Sequence, residues 1–216
     1  MRSYDQYCGL ARSLEIVGDR WNLLIVRELL IAPGRYRDLI ARLPGIATNL
    51  LADRLRDLEA TGVVERRLAG EGSAVEYTLT PWGAQLRQPI ESLLRWSTPL
   101  MISGPADSDS FRPEWLTLAV PALLNGRVKV RSAVTIGLVV GDQTLQLRAT
   151  RSGFDVGPHD GRTLDASVVA IPACILGLAA GALGLSDARA LGIVEVDGDE
   201  AAVRAVFGAG VGVRIG

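Results

Sequence analysis

Apolar residues in the first hundred positions recur at helical spacing, and Gly, Pro and short polar runs cut them into segments. Gly9 to Val17 reads as a helix, with Gly18-Asp19-Arg20 supplying a stop and a new start. Trp21 to Ile31 reads as a second helix whose apolar flank is Leu23, Leu24, Val26, Leu29 and Leu30, and Pro33-Gly34 ends it. Arg35 to Leu43 makes a short third helix, closed by Pro44-Gly45. Ala47 to Thr61 is the most informative helix. At about 100° per residue, Ala47, Leu51, Leu55 and Leu58 fall on one side, which must be core, and Asn49, Ala52, Asp53 and Arg56 fall on the other. Gly62 is placed to end this helix in the left-handed conformation. Two β-rich runs, Val63–Leu68 and Val75–Leu79, flank the glycine-containing tip Ala69–Ala74 and read as a hairpin. Thr80-Pro81 opens a last helix reaching about Trp96, with Leu86, Ile90, Leu93 and Leu94 on its stripe. Pro89 inside it implies either a kink or a later start.

The pattern changes near residue 100. Ser103-Gly104-Pro105-Ala106-Asp107-Ser108-Asp109-Ser110 is small and polar and reads as a linker. The expected division is therefore residues 1–100, a linker over 101–111, and a second domain over 112–216. Phe111–Leu124 reads as a helix, and Val128–Val134, Thr135–Val140 and Thr144–Thr150 as strands, with Gly141-Asp142 as a turn. Gly153–Gly157 and Ala166–Ile171 add two more strands. The helical period returns over Ala173–Ala182 and Asp187–Leu191, followed by a strand at Ile193–Val196 and a helix from Asp199 to Phe207. Several strands with helices segregated toward one end make this half, and the chain as a whole, α+β.

Composition narrows the function classes. A chain of 216 residues that is 48% hydrophobic, with mean hydropathy +0.23, can bury a real core, which excludes disorder over most of its length. With 23 basic and 24 acidic residues the net charge is −1, which excludes a globally basic nucleic-acid binder and leaves only a local basic patch. Cys8 and Cys174 are the only cysteines, too few and too far apart for a disulfide framework or a clustered zinc site. His159, the only histidine, sits in a Pro158-His159-Asp160-Gly161 turn and reads as a solvated loop residue rather than a general base. No catalytic residue, metal or cofactor is expected. Gly208-Ala209-Gly210-Val211-Gly212 looks like a phosphate loop only superficially, since no helix follows it.

The N-terminal stretch Met1–Ile16 carries Arg2, Asp5, Arg12 and Glu15 and has no apolar core of a signal peptide. Val168–Leu185 is uncharged and long enough to span a membrane, but Pro172, Gly177, Gly181 and Gly184 favour a buried strand followed by a helix. A cytoplasmic protein without a membrane partner is expected.

Helix, helix, short turn, helix and hairpin make a winged helix-turn-helix. Packing through the leucines leaves the Asn49/Asp53/Arg56 face outward at the diameter that a major groove accepts, and the hairpin sets Arg66 and Arg67 beside the duplex. The candidate contacts to double-stranded DNA are Arg35, Thr48, Asn49, Asp53, Arg54, Arg56, Arg66 and Arg67. Asp53 repels phosphate but could accept from a cytosine amino group. Because Asp53, Asp57, Glu59 and Glu65 sit among the arginines, charge alone leaves an ordinary solvated face equally open.

Several motifs also resemble a known family. Tyr7-Cys8-Gly9-Leu10-Ala11, Ile16-Val17-Gly18-Asp19-Arg20-Trp21, Arg27-Glu28-Leu29-Leu30, Leu43-Pro44-Gly45-Ile46, Asn49-Leu50-Leu51, Arg54-Leu55-Arg56-Asp57-Leu58-Glu59 and Tyr77-Thr78-Leu79-Thr80-Pro81-Trp82-Gly83 follow in order over residues 7–97. Together they resemble the HxlR-type transcriptional regulators. The resemblance implies a homodimer built by the first and last helices, reading a palindromic operator with half-sites about one helical turn apart. It also implies possible redox sensing at Cys8. The residues themselves leave open a cysteine that acts as a small hydrophobe, since Arg2 and Arg12 are weak means of lowering its pKa.

Residues 112–210 resemble the sterol-carrier-protein-like fold through Leu164-Asp165-Ala166-Ser167-Val168-Val169-Ala170, the glycine-rich helix after it, and Ala190-Leu191-Gly192-Ile193-Val194-Glu195-Val196-Asp197-Gly198-Asp199-Glu200-Ala201. That resemblance implies a small apolar ligand, with Leu116, Val120, Leu138, Leu147, Ile171, Leu176, Leu178 and Leu183 as the expected lining. A plain packed core would use the same residues. The function expected is a dimeric DNA-binding regulator modulated by such a ligand. The alternative is a lipid or acyl carrier whose N-terminal domain serves as an interaction module.

Overall fold

A computed structural model describes residues 3–68, 74–101 and 104–208. The hairpin tip at 69–73, Arg2, Ser103 and the glycine-rich stretch after Gly208 lie outside the described residues. The chain divides into two compact units, Met1–Ile90 and Glu91–Gly216. The division falls inside the helix that follows the hairpin, ahead of the expected linker.

The first unit holds α1 (Gly9–Val17), α2 (Asn22–Ile31), α3 (Tyr36–Arg42), α4 (Thr48–Ala60), β1 (Val64–Leu68) and β2 (Val75–Leu79). A 3-10 turn over Gly83–Leu86 leads into α5 (Arg87–Ser97), which crosses into the second unit. The later start is the one realised. Pro89 lies in the first turn of α5, where its missing N–H leaves no helical bond unmade. Leu51, Leu55 and Leu58 of α4 are fully buried with Ile25, Val26 and Leu39 of the two preceding helices. Two expectations are corrected. Ala47 is exposed, because it is the extended N-cap residue of α4 and not part of its core face. On α2 the buried residues include Asn22, Ile25 and Glu28, while Leu23, Leu24 and Leu30 are only half-buried, because this helix is covered on most sides. Gly62 is left-handed at φ +77, as the end of α4 requires.

The second unit opens with a 3-10 turn at Pro113–Trp115 and α6 (Leu116–Leu124). It continues with β3 (Val134–Val140), β4 (Gln143–Thr150), β5 (Gly153–Pro158), β6 (Ala166–Ala170), α7 (Pro172–Ala180), α8 (Leu185–Ala190), β7 (Val194–Gly198) and α9 (Glu200–Phe207). The sheet order is β5-β4-β3-β6-β7, antiparallel except where β3 meets β6. Val128–Val134 does not form the expected strand. Val128 and Val130 are buried and Lys129 and Arg131 exposed, so the alternation is real, but residues 128–133 are irregular chain and only Val134, the first residue of β3, joins the ladder. One sheet face, with Ile136, Leu138, Leu145, Leu147 and Val168, forms a single core with α6, α7 and α9.

β5 lies at one edge and β6 beside β3, so residues 159–165 must cross β4 and β3. Gln146 receives the Asp160 N–H at 3.2 Å, and Leu164 fills the space over Gly137, where a Cβ would stand 2.7 Å from its Cδ1. Asp199 caps α9 by accepting the Ala201 and Ala202 N–H groups at 2.8 and 3.3 Å.

Of the expected pocket lining, Leu116, Val120, Leu138, Leu147 and Leu178 are buried in this core, and Leu176 and Leu183 pack at its margin. Ile171 departs from the expectation. It is 62% exposed, because it continues the alternation of β6 on the side of exposed Val169, opposite buried Ala166 and Val168, as the extended residue ahead of α7. Two surface clefts, one at Leu185, Arg189, Glu200 and Arg204 and one at Ser132, Asp165, Asp199 and Ala205, contain none of the eight. The uncharged stretch from Val168 is β6 followed by α7, and among the described residues no helix is long and apolar enough to cross a membrane.

Candidate nucleic-acid interface

The outward face of α4 follows from its inward one. With Leu51, Leu55 and Leu58 in the core, the helical period forces Asn49, Asp53 and Arg56 outward, and all three are exposed. Arg56 donates to Asp53 at 2.6 Å, one turn away along the exposed face. Asn49 accepts the Leu50 N–H at 3.0 Å through its own side-chain oxygen. Thr48 is exposed at the start of α4, and its carbonyl accepts the Tyr36 hydroxyl from α3.

Arg54 sits differently. Its side chain is only 24% exposed and bridges Asp19 at 2.7 Å and Asp57 at 3.1 Å, so it braces α4 against the α1–α2 connection. It lies one helical step from Leu55, on the margin of the buried face, and the charge pattern alone could not separate it from Arg56.

The hairpin has the register Val64↔Leu79, Glu65↔Thr78, Arg66↔Tyr77, Arg67↔Glu76 and Leu68↔Val75. Tyr77 also exchanges backbone hydrogen bonds with Gly34, at 3.1 and 2.8 Å, which ties the hairpin to the chain just before α3. Gly83 lies so close to the base of β1 that a Cβ there would stand 2.1 Å from the Val63 carbonyl oxygen. Arg66 does not hang free. Its Nε donates to both Glu59 oxygens at 2.9 Å and its Nη2 to Oε2 at 2.6 Å. The pair holds the Glu59 carboxyl below its ordinary range and raises the Arg66 pKa. Arg67 is exposed and pairs with Glu65.

Arg35 precedes α3, and its N–H donates to Asp38 at 3.0 Å. Arg37, in the first turn of α3, was not among the expected contacts. Its side chain is 78% exposed and 3.8 Å from Asp38, and its place beside Arg35 was the available signal. Four of the expected cations thus divide into those paired with a carboxylate of their own element that phosphate could replace, Arg56 and Arg67, and those paired across to another element, Arg54 and Arg66.

Cys8 is exposed at the N-cap position of α1. Its thiol pKa is lowered by the amides of Ala11 first and Leu10 second, at the open end of the helix. Arg12 instead bonds Glu15 at 3.1 Å, so helix geometry supplies the shift that the nearby cations were poor candidates for. Burial raises the pKa of Cys174. Tyr4, Tyr7, Leu10 and Leu14 in and before α1 are exposed, as are Leu93 and Trp96 on α5. The expected α5 stripe is therefore buried at Ile90 but open at Leu93. Among the described residues no group of three or more His, Cys, Asp or Glu could hold a metal ion.

Comparison with known proteins bears on this unit. The family model described as HxlR-like helix-turn-helix matches residues 16–103. The chain is 34% identical over 86 residues to the HTH-type transcriptional regulator YodB of Bacillus subtilis, a match covering 39% of this chain and 77% of YodB. It is 34% identical over 88 residues to the uncharacterized HTH-type transcriptional regulator YvaP of the same organism, covering 40% of this chain and 82% of YvaP. The solved reduced form of Bacillus subtilis YodB matches with 31% identity and a TM-score of 0.40, over 46% of this chain and all of that one. Each match covers less than half of this chain, whereas it takes in most of the relative. At 34% identity to YodB over 77% of that protein, the chain belongs to the HxlR-like helix-turn-helix family, a family of DNA-binding transcriptional regulators and not of enzymes.

Proposed function

We propose that the protein is a dimeric, sequence-specific regulator that lays α4 in the major groove and reads base edges with Asn49, Asp53 and Arg56. Thr48, Arg35 and Arg67 contact phosphates, and Arg54 and Arg66 hold the reading elements in place. One observation carries this reading: α4 exposes Asn49, Asp53 and Arg56 on one face while Leu51, Leu55 and Leu58 on the other are fully buried. Arg56 is held by one exposed carboxylate, a partner that a guanine edge can replace. A duplex selected from a random pool by the purified protein, titrated across a salt series, tests it. Saturable binding that beats competitor DNA and weakens steeply with salt is the expected result, and equal affinity for scrambled duplex contradicts it.

The exposed apolar side chains in and just before α1, Tyr7, Leu10 and Leu14, support assembly as a homodimer, as the family resemblance implies. A two-fold dimer would read a palindrome with half-sites about 34–36 Å apart. Sedimentation of wild type against Leu10→Glu tests this, and a wild-type monomer at micromolar concentration contradicts it. Cys8 is proposed as a redox-responsive residue, supported by its exposure and by the helix amides that favour its thiolate.

The second unit is proposed to be sterol-carrier-like and to bind a small apolar effector. Support comes from the order of β6, α7, β7 and α9 and from the Gly198-Asp199 turn, where a Cβ on Gly198 would stand 2.7 Å from the Asp165 carbonyl oxygen. Because Leu138, Leu147 and Leu178 are packed together, an occupant would have to open space between sheet and helices. An effector with different affinity for two arrangements of the dimer would shift operator affinity by linkage. Native mass spectrometry of the protein after exposure to a fatty acyl probe tests this; absence of a bound form, or unchanged operator affinity on saturation, contradicts it. Bound acyl chains together with no duplex preference would favour a carrier.

A further inference from the structure

At a single rung of its ladder the wing meets both the chain just ahead of α3 and the last turn of α4. Arg66 and Tyr77 stand directly opposite each other in the β1–β2 pairing. Through its backbone, Tyr77 exchanges two hydrogen bonds with Gly34, immediately ahead of α3. Through its side chain, Arg66 reaches the last turn of α4, with three contacts of 2.6 to 2.9 Å to the Glu59 carboxylate. The backbone bridge is indifferent to side-chain identity, so Glu59 is the replaceable half of the joint. Arg67 follows Arg66 on β1, and strand alternation sends its exposed side chain to the other face. The direction of Arg67 is therefore set by a strand that the Glu59–Arg66 pair holds against α4.

We infer that Glu59 is a positioning residue for DNA binding: by clamping Arg66 it sets the angle of the wing, and of Arg67, relative to α4. This deepens the DNA-binding reading above and rests on it. Charge counting alone gives the opposite sign. A carboxylate near the duplex repels phosphate, so deleting it strengthens binding, whereas loss of a clamp weakens it.

The test uses the full chain as wild type, Glu59→Gln, Arg66→Gln, the double variant, and the exchanged pair Glu59→Arg/Arg66→Glu. One readout needs no DNA: amide hydrogen exchange over 64–68 and 75–79, with α2 as the reference for a folded unit. The other is the Kd for a duplex selected from a random pool by the wild-type protein. Each single variant is expected to speed exchange in the hairpin but not in α2, and to weaken binding about tenfold. The double variant is expected to be no worse than either single, and the exchanged pair to recover most of both readouts.

The inference is overturned if Glu59→Gln tightens binding or leaves it at the wild-type value. It is equally overturned if the losses of the two single variants add in the double, because Arg66 would then act on DNA without Glu59. If exchange in α2 rises as well, the exchanged pair decides: recovery of exchange without recovery of binding overturns the positioning role. A wild-type protein that selects no duplex overturns the DNA-binding reading, while hydrogen exchange still reports on the clamp by itself.

Discussion

Helix α4 and the β3–β4 pair each bury a full row of aliphatic side chains, Leu51, Leu55 and Leu58 in one and Ile136, Leu138, Leu145 and Leu147 in the other. They differ in what the polar groups on their other face do. On β4, Gln146 receives the Asp160 N–H, and Arg148 reaches the Asp160 carboxylate at 2.6 Å, so these polar groups are engaged in pinning the unit's own crossover connection. On α4, among the described residues, Asn49, Asp53 and Arg56 bond within their own helix, through exposed contacts that a ligand can replace. Two equally well-buried elements thus carry different kinds of information. An outward polar group used up by its own fold speaks of architecture, and one left in an exchangeable contact speaks of a partner.

The largest expected effects probe the buried side of that comparison. Leu55→Ala and Leu147→Ala should each cost about 2–5 kcal/mol by chemical denaturation. Only Leu55→Ala should also abolish binding to a selected duplex. A cost near zero for Leu147→Ala would mean that the core of the second unit is open rather than filled. Next comes Gly83→Ala, where the new Cβ meets a backbone oxygen that cannot swing away; a loss of about 1–3 kcal/mol is expected in the same assay, and an unchanged midpoint would contradict the close approach.

Smaller effects sharpen the exposed side. Arg67→Ala should weaken selected and scrambled duplexes alike and lower the salt slope by about 1, as loss of one phosphate contact does; a loss confined to the selected duplex would make Arg67 a base reader instead. Cys8 gives the smallest. Helix amides lower its pKa, so its thiolate fraction at a given pH exceeds that of an ordinary thiol, and its alkylation by iodoacetamide should rise at lower pH than that of a free cysteine. Cys174, whose pKa burial raises, should react only after unfolding. Equal rates for the two in the folded protein would contradict both assignments.

How much of this was legible in the sequence follows the same division. The core and outward faces of α4 depend only on the helical period, so Leu51, Leu55, Leu58, Asn49, Asp53 and Arg56 could be placed from spacing alone. Arg54 and Arg66 could not be told apart from them, because their partners, Asp19 and Glu59, lie on other elements and are met only through tertiary packing. The Gly34–Tyr77 bridge joins residues far apart in the chain that no local pattern connects. In the second unit most strands could be recognised from their β-branched runs, but Val128–Val134 could not be excluded. Alternating burial is shared by a strand and by any extended chain on a core, and only pairing separates them. The expected ligand lining departs at Ile171, which alternates with buried Ala166 and Val168 and so falls with exposed Val169 on the other face of the strand.

The central claim is that the outward face of α4 reads bases. Fluorescence anisotropy of wild type and Arg56→Ala on the selected duplex and on its scrambled counterpart, at one salt concentration, tests it most directly. The expected result is a loss of about 1–3 kcal/mol on the selected duplex with little change on the scrambled one, so that discrimination collapses. Equal losses on both duplexes, or none on either, would contradict it and leave α4 as a scaffold for contacts made elsewhere.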